Sequence, residues 1–148
     1  MRLAEVIDTC CVKTVTVTLE ASLVEAARAM LEAEATAIIV ENDRFREILT
    51  AGDILRRLTM AASPADAWHG PVTAALGEPV ATVSGEESVG KAIEMMAAAG
   101  IDHQAVAVTQ GIVVASLCRL LLAENALLHD EVRHLQNYID ALHDAPND

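Results

Sequence analysis

The stretch FREILTAGDIL, residues 45–55, decides how this chain is interpreted, because Thr50 and Asp53 end a strand-like hydrophobic run and open a helix-like one. About 65 residues later the surrounding pattern returns, but Val114 and Leu117 stand at the positions of Thr50 and Asp53. A hydroxyl and a carboxylate are therefore kept in the first copy and lost in the second. This asymmetry predicts a duplicated binding module with one working site.

The internal repeat predicts the order β-α-β-β-α in each copy. Equivalent positions carry the same residue types: Val17 and Val83, Ser22 and Ser88, Ala26 and Ala92, Met30 and Met96, Val40 and Val106. The predicted strands are 14–17, 36–40 and 46–49 in the first copy, and 80–83, 104–108 and 112–115 in the second. Ser22 and Ser88 open the first helix of each copy, and the closing helices are predicted at 52–60 and from Ser116 onward.

The predicted fold class is α+β, with two repeats packed sheet to sheet about a pseudo-twofold axis and a long C-terminal helix. A unit of about 55 residues buries too little surface alone, so the two units need a shared core. We divide the chain into a first repeat at 1–62, a second at 63–123, and an amphipathic helix with a frayed tail at 124–148. The stretch 61–71, which contains Ala, Ser and Pro, is predicted to be the connector.

Composition excludes several classes of protein. The formal net charge of −12 repels a nucleic-acid backbone, and three aromatic residues are too few for a base-stacking surface. The longest apolar run, 111–123, is interrupted by Arg119 and is too short to span a bilayer. Three cysteines, two of them adjacent, fit neither a zinc site nor a disulfide framework. With no N-terminal signal visible, we expect a soluble cytoplasmic protein that binds neither nucleic acid nor membranes.

The repeated element order, with the Thr-x-x-Asp signature at 50–53, resembles the tandem CBS-domain module, named after cystathionine β-synthase. The resemblance covers about residues 1–124. It rests on 21–26, Met30, 38–40 and 48–53, and in the second copy on 87–89, 95–96, 99–101 and 111–113. It implies a stand-alone pair of repeats that regulates another protein and requires no cofactor. It also implies an adenosine-containing ligand between the repeats, such as AMP, ADP, ATP or S-adenosylmethionine.

By the same resemblance, Asp53 accepts hydrogen bonds from the ribose hydroxyls and Thr50 helps to hold ribose or phosphate. A carboxylate can accept from two vicinal hydroxyls at once, and a helix start favours an anion. The alternative is that Thr50 and Asp53 only cap the helix that follows. Val114 and Leu117 imply that the second site stays empty, and Glu47 departs from the glycine that the family has at this position.

The resemblance adds four further ligand-binding residues, which are Thr14, Val15, Ile38 and His103. The first three would form an aliphatic wall for adenine, although an ordinary core strand explains them equally well. His103 would face phosphate from the opposite repeat, and the alternative is a histidine at the edge of the core. Arginines 44, 46, 56 and 57 surround the motif and either screen ligand phosphates or form a solvated ion-pair face.

The C-terminal helix carries Leu121, Leu128, Leu135 and Leu142 at seven-residue intervals. Asn125, Val132 and Ile139 fall between them, which is a three-heptad zipper whose Asn favours a parallel two-stranded register. The pattern predicts a homodimer or a docking helix for an unidentified regulated protein. The alternative is that the helix folds back onto its own domain.

No nucleophile–base set, metal-ligand spacing or Gly-rich phosphate loop stands out, so we do not expect an enzyme. The sequence therefore favours a module that senses an adenosine-containing nucleotide or nucleoside. The alternative function is a scaffold that binds no ligand and dimerises through the zipper.

Overall fold

The computed structural model describes residues 1–10, 15–78 and 81–144, with backbone only at Cys10. In each repeat a three-stranded sheet carries helices on one face. The first repeat contains β1 (Thr16–Thr18), α2 (Leu23–Glu32), β2 (Ala37–Glu41), β3 (Arg46–Thr50) and α3 (Ala51–Met60). The second contains β4 (Val83–Ser84), α5 (Val89–Ala99), β5 (His103–Val108), β6 (Gly111–Ser116) and α6 (Leu117–His143). A short α1 (Ile7–Cys10) precedes the first repeat, and α4 (Pro64–His69) lies between the two. The predicted α+β fold is confirmed.

Both sheets have the same topology, which is what a duplication produces. The first strand pairs in parallel with the second, and the second pairs antiparallel with the third. Ala37 therefore faces Thr50 across the first sheet, and His103 faces Ser116 across the second. This register places the end of the third strand, where the Thr-x-x-Asp motif lies, beside the start of the second.

The helix starts follow the capping chemistry of the sequence. Ser22 Oγ accepts from the Glu25 backbone N–H at 3.2 Å, and a Glu25 carboxylate oxygen accepts from the Ser22 N–H at 2.8 Å, so the predicted capping box is confirmed. In α5 the Ser88 hydroxyl accepts from the Lys91 N–H, but lysine supplies no returning carboxylate. The connector holds α4, which starts after Ser63 with Pro64 in its first turn, and this helix was not expected from composition.

Three clusters of buried residues form the core. One packs α2 against the first sheet around Leu23, Ile38 and Val40, and a second packs α5 and α6 against the second sheet. The third joins the two sheets through Ala37, Ile39 and Val114. The expected packing of sheet against sheet is therefore present.

The segments outside the repeats cross between them. Leu3 is fully buried in the core of the second repeat, and its N–H donates to the Glu87 carbonyl at 2.9 Å. Val72, at the end of the connector, is fully buried in the core of the first repeat. The packing therefore crosses the predicted boundary at 62/63. This boundary separates the two copies in the sequence, and the buried cores extend across it.

α6 has 27 residues and two different environments. Leu120 is fully buried against the second repeat, and Leu117 and Leu127 are half-buried. From Leu128 to Asp144 every residue is exposed. The second half of the helix therefore extends beyond the domain and does not fold back onto it. Within the described ranges, no helix combines the length and the apolar content that crossing a membrane requires.

Candidate functional site at the junction of the repeats

Thr50 and Asp53 form a capping box at the start of α3. Thr50 is extended (φ −105°, ψ 162°), and its hydroxyl accepts from the Asp53 N–H at 3.2 Å. Asp53 Oδ2 in turn accepts from the Thr50 N–H at 2.9 Å. The capping role considered from the sequence is therefore real. It fixes the carboxylate at the positive end of the helix, where an anion is stabilised.

The second carboxylate oxygen of Asp53 is held by an arginine one turn later. Arg56 Nη1 donates to Asp53 Oδ1 at 3.0 Å, and the aspartate side chain is only 13% exposed while the arginine is 64% exposed. Gly77, from the segment after the connector, covers the same oxygen: a Cβ at this position would lie 3.2 Å from Oδ1. The carboxylate therefore lies in a recess, and the long, exposed side chain of Arg56 lies at its opening.

The second repeat reaches this recess through His103. Its Nε2 lies 2.9 Å from Thr36 Oγ1, a hydrogen bond that joins the repeats. Burial lowers the pKa of His103 below its ordinary value, although the negative charges of Asp102 and Asp53 oppose the shift. The Ala51 N–H, at the start of α3, donates to the Thr36 carbonyl at 3.2 Å, so the histidine bonded to Thr36 lies at the same end of the first repeat as the Thr50–Asp53 motif.

The structure does not group all of the predicted residues. Thr50, Asp53 and His103 come together, whereas Thr14 lies outside the described residues. Ile38 is fully buried in the core between the first sheet and its helices, and Val15 packs against the same core. The β2 residues that face the opposite sheet are Ala37 and Ile39, because alternate side chains of a strand point to opposite faces. The expected position of Ile38 in the cleft is therefore corrected to its two neighbours.

Sequence reasoning missed two residues at this site, Thr36 and Gly77. Thr36 had a usable signal, because it directly precedes β2 and therefore lies at the sheet edge where Thr50 ends β3. Gly77 had none, because its approach to Asp53 depends on the path of the chain after the connector. The sequence shows four arginines around the Thr50–Asp53 motif, and only the structure identifies Arg56 as the partner of Asp53.

The strand registers do not align Thr50 and Asp53 with Val114 and Leu117, which is the alignment that the sequence repeat predicts. Ala37 pairs with Thr50, and its counterpart His103 pairs with Ser116, so Ser116 and Arg119 occupy the equivalent positions and the expected alignment is wrong. Val114 is 1% exposed and packs with Ala37 and Ile39 between the sheets. Leu117 packs against the core of the second repeat, and no side-chain hydrogen bond caps α6 at Ser116. The second copy therefore keeps a hydroxyl at Ser116 but has the guanidinium of Arg119 where the first copy has a carboxylate.

The sizes of the cavities do not identify the site. A cavity of about 40 Å³ lies between the sheets, with Ile39 and Ile48 on one side and Ala105 and Ile112 on the other. The larger cavity, about 410 Å³, lies elsewhere, between the N-terminal segment and the turns at 84–86 and 107–110. We place the candidate site at Asp53 because charge and hydrogen-bonding groups converge there. No cluster of metal-ligating side chains occurs in the ranges that the structure covers.

Comparison with known proteins agrees with this architecture. Residues 5–59 match the model of the CBS domain. A CBS-domain-containing protein of Agrobacterium tumefaciens has a solved structure with a TM-score of 0.72 and 20% identity, covering 84% of this chain and 99% of that one. An uncharacterised conserved protein of Pyrococcus horikoshii gives 0.68 and 25%, covering 80% and 90%.

Two further solved structures carry functional descriptions of their own. A candidate signal-transduction protein with CBS domains from Burkholderia ambifaria gives a TM-score of 0.74 at 18% identity, covering 85% of this chain and 95% of that one. A hexameric CBS-CP12 protein from bloom-forming cyanobacteria gives 0.71 at 18%, covering 96% and 86%. None of the curated proteins compared with the chain matches it. The CBS-domain model thus matches the first repeat, and the two repeats together have the fold of the solved CBS-domain structures.

Proposed function

We propose that this chain is a regulatory module that binds one adenosine-containing ligand at the junction of its repeats. The observation that carries the proposal is the position of Asp53, whose carboxylate is recessed at the start of α3, where His103 of the other repeat bonds to Thr36. A ligand held there contacts both halves of the module. Binding energy can therefore change how the repeats are held together, which is what a sensor requires.

The chemistry of the recess fits a ribose. Asp53 Oδ2 is committed to the helix cap, and among the described residues the hydrogen bond to Oδ1 comes from an exposed arginine. Two hydroxyls on adjacent carbons are donors of the kind that a carboxylate oxygen accepts. Ile39, on the face of β2 toward the second repeat, lines the small cavity between the sheets and would supply an apolar surface for adenine. We keep Thr50, Asp53 and His103 as ligand-binding residues and add Thr36.

Calorimetric titration of the full chain with AMP, ADP, ATP and S-adenosylmethionine tests the proposal. Asp53→Ala removes the carboxylate and should weaken binding about 10- to 100-fold, since hydrogen bonds to charged groups contribute about 1.5–3 kcal/mol. The same substitution also destroys a capping box. Glu25→Ala is the matched control, because it destroys the equivalent box of α2 without touching the site.

Both variants should lose about 1 kcal/mol of unfolding free energy, and only Asp53→Ala should lose ligand affinity. The proposal is wrong if none of the four compounds binds the unsubstituted chain. It is also wrong if Asp53→Ala and Glu25→Ala bind equally well, because the carboxylate is then no more than a cap.

A second candidate function, self-association through α6, is favoured by the exposed half of that helix. Five apolar residues at zipper positions beyond the domain are 50–62% exposed: Leu128, Val132, Leu135, Ile139 and Leu142. A second copy of the same helix would cover them. In this function the chain acts as a homodimeric scaffold, with or without a ligand at Asp53.

We further propose that the protein has no catalytic role of its own and acts on a regulated partner in the cytoplasm. The similar structures are those of stand-alone CBS-domain proteins. Cys118 is an exposed free thiol, a state that a reducing compartment preserves.

A further inference from the structure

The ion pair between Asp53 and Arg56 is strongly asymmetric. Asp53 is held in place by the helix cap and is nearly buried, whereas Arg56 is held only by its contact with Oδ1 at 3.0 Å. Because the helix cap and the positive end of α3 still stabilise the carboxylate, the exposed guanidinium can leave while the carboxylate cannot. Arg56 therefore occupies the oxygen that an incoming hydroxyl needs, and it is the movable member of the pair.

A displaced Arg56 remains beside the site. It lies three residues after Asp53 in α3, so both side chains project from the same face of the helix. Its guanidinium is permanently charged and binds phosphate through two parallel hydrogen bonds. The group that vacates Oδ1 is thus a phosphate-binding group within reach of any ligand that replaces it.

His103 does not offer an equivalent charge at neutral pH. Burial lowers the pKa of its imidazole, which keeps the ring neutral, and its Nε2 already bonds to Thr36. The chain as a whole carries a formal net charge of −12, which opposes the approach of an anion. A phosphate at this site therefore needs a local cation, and Arg56 is the permanent cation in contact with Asp53.

We propose that Arg56 is the specificity-determining residue of the site, resting on the proposed function above. When the ligand binds, the Arg56 guanidinium leaves Asp53 and binds the phosphate of the ligand. The site therefore selects adenine nucleotides over adenosine. The same positive charge disfavours S-adenosylmethionine, whose sulfonium would lie where the phosphate does. The ligand class is thereby narrowed to phosphorylated adenosines.

The experiment compares AMP with adenosine by calorimetric titration of the full chain. The unsubstituted protein should bind AMP at least tenfold more tightly than adenosine. Arg56→Ala should weaken AMP about tenfold, which is about 1.4 kcal/mol, and leave adenosine unchanged or tighter because Oδ1 is now free. Raising the salt concentration should weaken AMP binding less in Arg56→Ala than in the unsubstituted chain.

Arg133→Ala is the matched control. Arg133 Nη2 bonds Asp130 Oδ1 at 2.5 Å in the same three-residue spacing, on the exposed part of α6. This variant removes the same charge and the same kind of pair away from the site, so both affinities should stay unchanged. Arg56→Gln, which keeps a polar side chain of similar length, replaces the alanine variant if that variant fails to fold.

The outcomes separate the two proposals. If AMP and adenosine bind the unsubstituted chain equally, or if Arg56→Ala weakens both by the same factor, the role of Arg56 is refuted and the adenosyl site stands. If neither compound binds the unsubstituted chain, this inference fails together with the adenosyl site.

Discussion

Replacing Leu135 by aspartate should convert a dimer into a monomer. Leu135 lies in the exposed half of α6 at the centre of the zipper positions, and it is 62% exposed in the single chain. Full burial of a Leu, Ile or Val side chain is worth about 1.5–3 kcal/mol, so a residue that is half-exposed still offers about 1 kcal/mol. Five such residues on each of two chains provide on the order of 10 kcal/mol before the cost of association is subtracted.

Association costs roughly 4–15 kcal/mol, so the net free energy is small and each seam residue counts. Leu135→Asp removes about 2 kcal/mol of burial from the dimer and places two carboxylates opposite each other. Desolvating each charge costs several kcal/mol. The sum exceeds about 5 kcal/mol, which weakens the dimer by more than three orders of magnitude.

Analytical ultracentrifugation over a concentration series measures this change. Asn137→Asp is the control, because it introduces the same charge on the exposed, outward side of the same helix. The unsubstituted chain and Asn137→Asp should show dimer mass, and Leu135→Asp should show monomer mass. An unchanged mass for Leu135→Asp would show that the zipper positions do not form the interface.

Two further predictions concern the junction of the repeats. Because burial lowers the pKa of His103 below its ordinary 6.5, the unfolded chain binds the proton first, and the free energy of unfolding should fall as the pH drops below about 6.5. Denaturant titrations from pH 7 to pH 5 should show that the free energy of unfolding falls less in His103→Gln than in the unsubstituted chain. An equal fall in the two proteins would contradict the effect of burial on His103. Gly77→Ala places a methyl group 3.2 Å from Asp53 Oδ1 and should weaken AMP binding severalfold, as measured by calorimetry. Gly90→Ala, whose methyl group meets its nearest neighbour at 3.6 Å, should leave AMP binding unchanged, and equal affinities in the two variants would remove Gly77 from the site.

The fold could be predicted because the two copies support each other. A strand as short as β4, with two residues, carries little signal alone, but its alignment with β1 identifies it. The face assignment of β2 could not be predicted in the same way. Ala37, Ile38, Ile39 and Val40 are all buried, so the strand lacks the alternation that distinguishes the two faces. The sequence therefore does not show that Ile38 points away from the second sheet while Ala37 and Ile39 face it.

The site was predictable only as far as local spacing reaches. The capping box and the contact between Asp53 and Arg56 both join residues three apart at the start of a helix, a distance that sequence alone specifies. The contact between Thr36 and His103 joins residues 67 apart, and the packing of Leu3 against the second repeat joins residues more than 80 apart. These contacts depend on how the two sheets meet, which no local pattern encodes.

The second copy differs from the first at the start of its closing helix. Ser116 and Arg119 stand at the positions of Thr50 and Asp53, while Val114 fills the contact between the sheets and Leu117 packs into the core of the second repeat. Leu117 is also the first residue of α6, and its N–H donates to the carbonyl of Asp102, next to His103, at 2.9 Å. This bond fixes the start of the projecting helix next to His103. A ligand that shifts His103 would act on the residue beside this bond, so the bond connects the proposed binding site with the proposed dimer helix.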